Sequence, residues 1–126
     1  MVRIRQHGPT RGLFDISDFL ADIDWHFDID EWRVEIVCCV GEGAGDIESR
    51  TAFGRRFSDA QFRAMYRGIF QTIDGQFLLY SRGKRLARLE AVDSCYWEIE
   101  STAAFEQNML GKYGAHRLPE GGLIAA

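Results

Sequence analysis

Apolar residues recur at helical spacing most clearly in FSDAQFRAMYRGIF. Phe62, Met65, Tyr66, Ile69 and Phe70 make one stripe there, and Arg63 and Arg67 fall on the opposite, wet side. Ser58 followed three residues later by Gln61 is a capping box, and Phe57 with Phe62 occupies the positions of a hydrophobic staple, so a helix starts at Ser58. An Asp74–Gly75 turn is expected after it. QFLLYSRGKRLARLEAVDSCYWEIE then reads as three short strands of an antiparallel meander, with turns at SRGK and around Asp93–Ser94. Cys95, Trp97 and Ile99 alternate with Tyr96, Glu98 and Glu100, the period of a half-buried strand. A last helix is predicted from about Thr102 to Lys112, with Phe105, Met109 and Leu110 inward and a stop near Gly111 and Gly114. The tail, residues 115–126, has few groups to bury and is expected to be loose.

The N-terminal half carries two competing periods. Ile16, Phe19, Leu20 and Ile23 fit a helix, whereas Asp22 to Asp30 fit strict alternation equally well. The reading adopted is a short helix at about Asp15 to Asp24 and a strand at Glu31 to Val40, with Trp32, Val34, Ile36, Cys38 and Val40 lining one face. GEGAGD is then a connecting loop, and a second strand runs from about Ile47 to Phe53. The 126 residues are enough for one domain. The expected fold is a single α+β domain over 1–126, a mostly antiparallel sheet of about four to six strands with about three helices packed against it.

Charge changes the picture, because the net value of −4 hides a segregation. Eleven acids and one base, Arg33, lie between Asp15 and Glu48, whereas nine bases and two acids lie between Arg50 and Arg88. Such a division bears on fields and partners more than on fold. The N-terminus has no apolar signal core and no apolar run is long enough to span a bilayer, so no membrane role is expected and a cytoplasmic location is the default. Three cysteines, two of them adjacent at Cys38 and Cys39, suit free thiols better than a disulfide framework.

Several chemistries can be weighed against these patterns. DIDWHFDID surrounds His26 with Asp22, Asp24, Asp28 and Asp30, but same-side residues on a strand lie about 7 Å apart, too far for most to reach one ion. No metal or other cofactor is therefore expected. GEGAGD lacks the spacing and the following lysine of a phosphate loop. Arg55, Arg56, Arg63 and Arg67 could track a nucleic-acid backbone, but Phe53 and Tyr66 read as core residues and the acidic block opposes a polyanion, so nucleic acid is disfavoured. A small enzyme or ligand-binding domain, with a pocket between sheet and helices using Glu98, Glu100 or Cys95, is the alternative reading.

FLADIDWHFDIDEW offers a different use. Asp22, Asp24, Asp28, Asp30 and Glu31 supply a negative field, and Trp25 and Trp32 supply aromatic anchors for a basic protein partner. Separately, the order of FSDAQF, QTIDGQF and AVDSCYWEIE over about Ser58 to Glu100 resembles small bacterial proteins of the toxin-immunity type. The resemblance implies a non-catalytic intracellular inhibitor of a cognate toxin and transfers no contact residue. The expected function is thus a non-enzymatic binding module that blocks the basic cleft of a toxin or nuclease. Self-association, acidic block against basic block, is a third reading.

Overall fold

The computed structural model describes residues 1–8, 12–114 and the backbone of 116–117. Chain order is β1 (Val2–Arg5), α1 (Ile16–His26), β2 (Glu31–Gly41), α2 (Ala44–Arg50), β3 (Arg55–Ser58), α3 (Asp59–Tyr66), β4 (Ile69–Ser81), β5 (Lys84–Val92), β6 (Tyr96–Ser101), α4 (Ala103–Tyr113) and β7 (His116–Arg117). The strands form one antiparallel sheet in the order β3-β2-β4-β5-β6-β1-β7. It is an α+β domain, with one more strand and one more helix among the described residues than the sequence pattern predicts. Apart from the two residues of β7, the tail expected to be loose lies outside the described residues.

Alternation puts Val2, Ile4, Trp32, Val34, Ile36, Phe77, Leu79, Leu89, Trp97 and Ile99 on one sheet face, all buried beneath the helices. The other face is a neutralised mosaic of arginine and glutamate. Arg3 pairs with Glu98, Arg33 with Glu31, Arg88 with Glu90 and Arg85 with Glu100. Arg3 also stacks on Tyr96 and Arg33 on Tyr80. Both meander turns hold: Arg82 and Gly83 make a two-residue β4–β5 turn and Asp93 to Cys95 a three-residue β5–β6 turn, with positive φ at Arg82, Gly83, Asp93 and Ser94. At the capping box, Ser58 Oγ accepts from Gln61 N–H and Gln61 Oε1 accepts from Ser58 N–H.

Several local expectations fail, each for a nameable reason. The helix begun at Ser58 ends at Tyr66, so Ile69 and Phe70 of the expected stripe open β4 instead. Asp74–Gly75 is not a turn; β4 runs unbroken through it, and Gly75 is required because a Cβ there would lie 2.9 Å from Thr72 Cγ2 and 3.2 Å from the Glu35 carbonyl oxygen. The expected strand from Ile47 to Phe53 is instead α2 and a turn. Side chains from this region take the amides a strand would have paired: Thr51 Oγ1 accepts from Ile36 N–H and Glu48 from Cys39 N–H. The short strand actually beside β2 is β3, which pattern reading missed. Finally, three successive register shifts between β2 and β4 leave Val37, Ile73 and Phe70 as extra residues. Alternation is reset by them, so Cys39 rather than Cys38 enters the core, and Val40 and Phe70 are exposed.

Candidate binding site

The acidic aromatic stretch is mostly helix, and this decides where each side chain goes. Asp15 caps α1 and its N–H donates to Asp18 Oδ2 at 2.9 Å. Ile16, Phe19 and Ile23 turn into the core. Asp22 faces α4 and is buried, accepting hydrogen bonds from Asn108 Nδ2 at 3.1 Å, Lys112 Nζ at 3.0 Å and Tyr113 Oη at 2.5 Å. Asp24 faces α3, where Arg63 donates to both its oxygens at 2.5 and 3.1 Å. The same guanidinium also binds Asp59. Two carboxylates therefore brace α1 on its two flanks.

Trp25 lies two positions beyond Ile23 and so on about the opposite side of the helix from the core. It is 86% exposed. Asp18 lies two turns earlier on the same outward side, and Asp28 is exposed just beyond the helix end with no ion pair among the described residues. Asp30 is exposed too, its Oδ2 accepting the Arg82 N–H at 2.9 Å.

The seven residues expected to form one surface thus separate. Trp32 is a correction: it is fully buried, stacked on Phe62 at 4.0 Å, with Nε1–H donating to Asp59 Oδ1 at 2.8 Å. It starts β2 on the core side, so it anchors the fold and not a partner. Asp22 is likewise withdrawn, and Asp24 and Glu31 are engaged by Arg63 and Arg33. Trp25, Asp28 and Asp30 remain outward, joined by Asp18, which the strand-like alternation of Asp22 to Asp30 obscured.

The other candidate groups do not converge. Glu98 and Glu100 lie on the open sheet face, paired with arginines, and Cys95 sits exposed at the β5–β6 turn; Glu100 borders an open cavity of about 290 Å³ with Lys84, Arg85 and Thr102, which neither Glu98 nor Cys95 lines. Burial pushes the Cys39 thiol up to about 12, with the Glu48 carboxylate adding to the effect, which suits a core thiol and not a nucleophile. His26 and the acids around it do not share one side, because most of them belong to a helix. Among the described residues no group of three or more His, Cys, Asp or Glu is placed to hold a metal. Tyr66 is core as expected, but Phe53 is 94% exposed. Among the described residues no helix is long and apolar enough to cross a membrane.

Sequence reading also missed a buried polar network beneath α1. Tyr66 Oη donates to Asp15 Oδ2 and lies 2.6 Å from Thr72 Oγ1, Thr72 N–H donates to Asp15 Oδ1, and Gln6 Nε2 donates to the Thr72 carbonyl. Burial raises the Asp15 pKa, only partly offset by these hydrogen bonds, and raises that of Tyr66 well above its ordinary value with Asp15 adding to it. The one sequence signal for it was an aspartate placed to cap the first apolar stripe.

Asp22 titrates in the opposite sense. Burial works to raise its pKa, but the hydrogen bonds from Tyr113, Lys112 and Asn108 outweigh burial and leave it below 3.8. Its folded-state pKa is depressed, so its stabilisation is complete above the ordinary value and is lost as pH falls through the lowered one. Asp22→Asn should lower stability at neutral pH and flatten this part of the acid limb. Urea midpoints measured from pH 2 to pH 5 check it, and an unchanged acid limb would show that Asp22 is not the group responsible.

Compared with known protein families, curated proteins and solved structures, the chain gives no match.

Proposed function

We propose that this chain is a non-enzymatic protein-binding module, of the immunity or inhibitor kind, that presents Trp25 to a basic cleft of its partner. The observation that carries the reading is a tryptophan 86% exposed at the outermost position of a helix braced on both flanks by Asp22 and Asp24. A rigid, amphipathic anchor loses little conformational freedom on binding, which is what makes tryptophan a recurrent hot-spot residue. Asp18, Asp28 and Asp30 give its surroundings a negative field that favours a cationic partner and speeds encounter at low salt. The neutralised sheet face supplies no comparable field. The resemblance over about Ser58 to Glu100 supports a toxin as the partner class, while the proposed contact surface lies outside that stretch.

Capture from the host with wild-type, Trp25→Ala and Asp28→Lys baits tests the reading, followed by affinity measurement on whatever the wild type retains. The proposed anchor predicts a basic protein whose affinity falls at least about 30-fold with Trp25→Ala. Asp28→Lys should chiefly slow association and reduce its salt dependence. A partner bound equally well by both variants would place the interface elsewhere.

A further inference from the structure

We propose that the free edge of β3, with Phe53 just before it and Arg55 and Arg56 along it, is a docking strand for an extended acidic segment of a partner protein. β3 is the outermost strand of its end of the sheet, beside β2. Asp59 N–H donates to the Asp30 carbonyl at 3.0 Å, and this phase puts Arg55 and Phe57 in the hydrogen-bonded positions opposite Val34 and Trp32. The N–H and C=O of Arg56 therefore point away from β2, and no group among the described residues bonds to either. A donor and an acceptor side by side on an open edge fit the backbone of another peptide.

Phe53 is what distinguishes this edge from an ordinary one. Its side chain is 94% exposed, and its φ of 65° lies in the left-handed region that a bulky residue avoids. Neither burial nor backbone preference accounts for a phenylalanine there, whereas an aromatic held outward for a partner does. The loop that carries it is preorganised. Phe53 N–H donates to Glu35 Oε2 at 3.2 Å, Gly54 N–H to the Thr51 carbonyl at 3.0 Å and Arg55 Nε to the Ala52 carbonyl at 3.4 Å.

Charge selects the occupant. Arg55 and Arg56 are exposed, and neither pairs with a carboxylate among the described residues. Arg56 stands directly opposite Arg33, like charge beside like across the ladder, and Arg33 is already satisfied by Glu31 and stacked on Tyr80. A second copy of β3 would set arginine against arginine and is disfavoured. Acids on both faces of an added strand would instead meet Arg55 on one side of the sheet and Arg56 on the other. A polynucleotide could use the two cations, but its phosphates would face the Arg56 carbonyl, an acceptor they cannot satisfy. This surface shares no residue with the one centred on Trp25 and carries the opposite charge.

Proton–nitrogen correlation spectra of the whole chain, titrated with the acetylated and amidated peptide Glu-Val-Glu-Glu-Val-Glu-Phe, test the assignment. The same peptide with lysine in place of glutamate, and an oligouridylate of equal charge, serve as comparisons. The glutamate peptide should give saturable shifts centred on Gly54, Arg55, Arg56 and Phe57, and should slow hydrogen exchange at the Arg56 amide. Arg56→Gln should weaken it about fivefold, the loss expected for one exposed ion pair. Phe53→Gly should leave the protein folded, because glycine tolerates positive φ, yet weaken the peptide at least about fivefold. No saturable shift at β3, an equal response to the lysine peptide, tighter binding of the oligouridylate, or an affinity unchanged by either substitution would each overturn the proposal.

Discussion

Trp32→Ala should destabilise the domain by about 3–5 kcal/mol, the range for removing a buried aromatic and leaving a cavity. The indole is fully enclosed, stacked on Phe62, and bonded through Nε1–H to Asp59. Its loss therefore leaves α3 without its main contact to β2 and removes one donor from Asp59. Trp32→Phe should cost less, about 1–2 kcal/mol, because much of the ring packing survives while the indole N–H does not. Trp25→Ala should change stability by no more than about 0.5 kcal/mol, since the side chain is solvated. Denaturant midpoints of the three variants give the comparison. Equal losses at Trp25 and Trp32 would mean that α1 does not lie as described.

The second large effect is expected at Asp15. Asp15→Ala removes the acceptor of both Tyr66 Oη and the Thr72 amide together with the residue that caps α1, and should cost about 3–4 kcal/mol. Tyr66→Phe takes one donor from a buried carboxylate and should cost about 2 kcal/mol, but much less when Asp15 is already alanine. The pH dependence has a definite sign. Because the folded-state pKa of Asp15 is raised, its protonated form favours the fold, and this contribution diminishes as pH rises from 3.8 through the raised value. Losing the Tyr66 hydrogen bond, which holds that pKa down, extends the window upward in Tyr66→Phe. A double-mutant cycle followed across that pH range checks both statements. Additive losses would show that the two groups do not act together.

Elements whose signals are local and redundant were legible in the sequence. Ser58 with Gln61 marked the start of α3, alternation marked β6, and Thr102 with Phe105 and Met109 marked α4. What escaped depends on interactions between distant segments. Three bulges cannot be read from VCCVG or IFQTID, because each strand's register is set by its partner. In α2, with Ile47 as its buried residue, there was too little pattern to compete with a strand reading. The acids and tryptophans of the candidate surface were legible in the sequence, but their geometry was not. Alternation around DIDWHFDID placed the acids on one side, whereas helix formation through His26 sent Asp22 and Asp24 to opposite flanks and Trp25 outward. The arginine that neutralises Asp24 is 39 residues away, a separation no local pattern reports.

The proposed surface requires one indole, Trp25, to stand in solvent while the other two are enclosed. Acrylamide quenching of the native protein, compared with Trp25→Phe, measures this directly. Trp32 and Trp97 are both fully buried. The readily quenched emission should therefore vanish with Trp25→Phe and leave a fluorescence that resists acrylamide until the protein unfolds. If quenching of native protein and variant were the same, Trp25 would not be the exposed anchor, and the proposed surface would lose its centre.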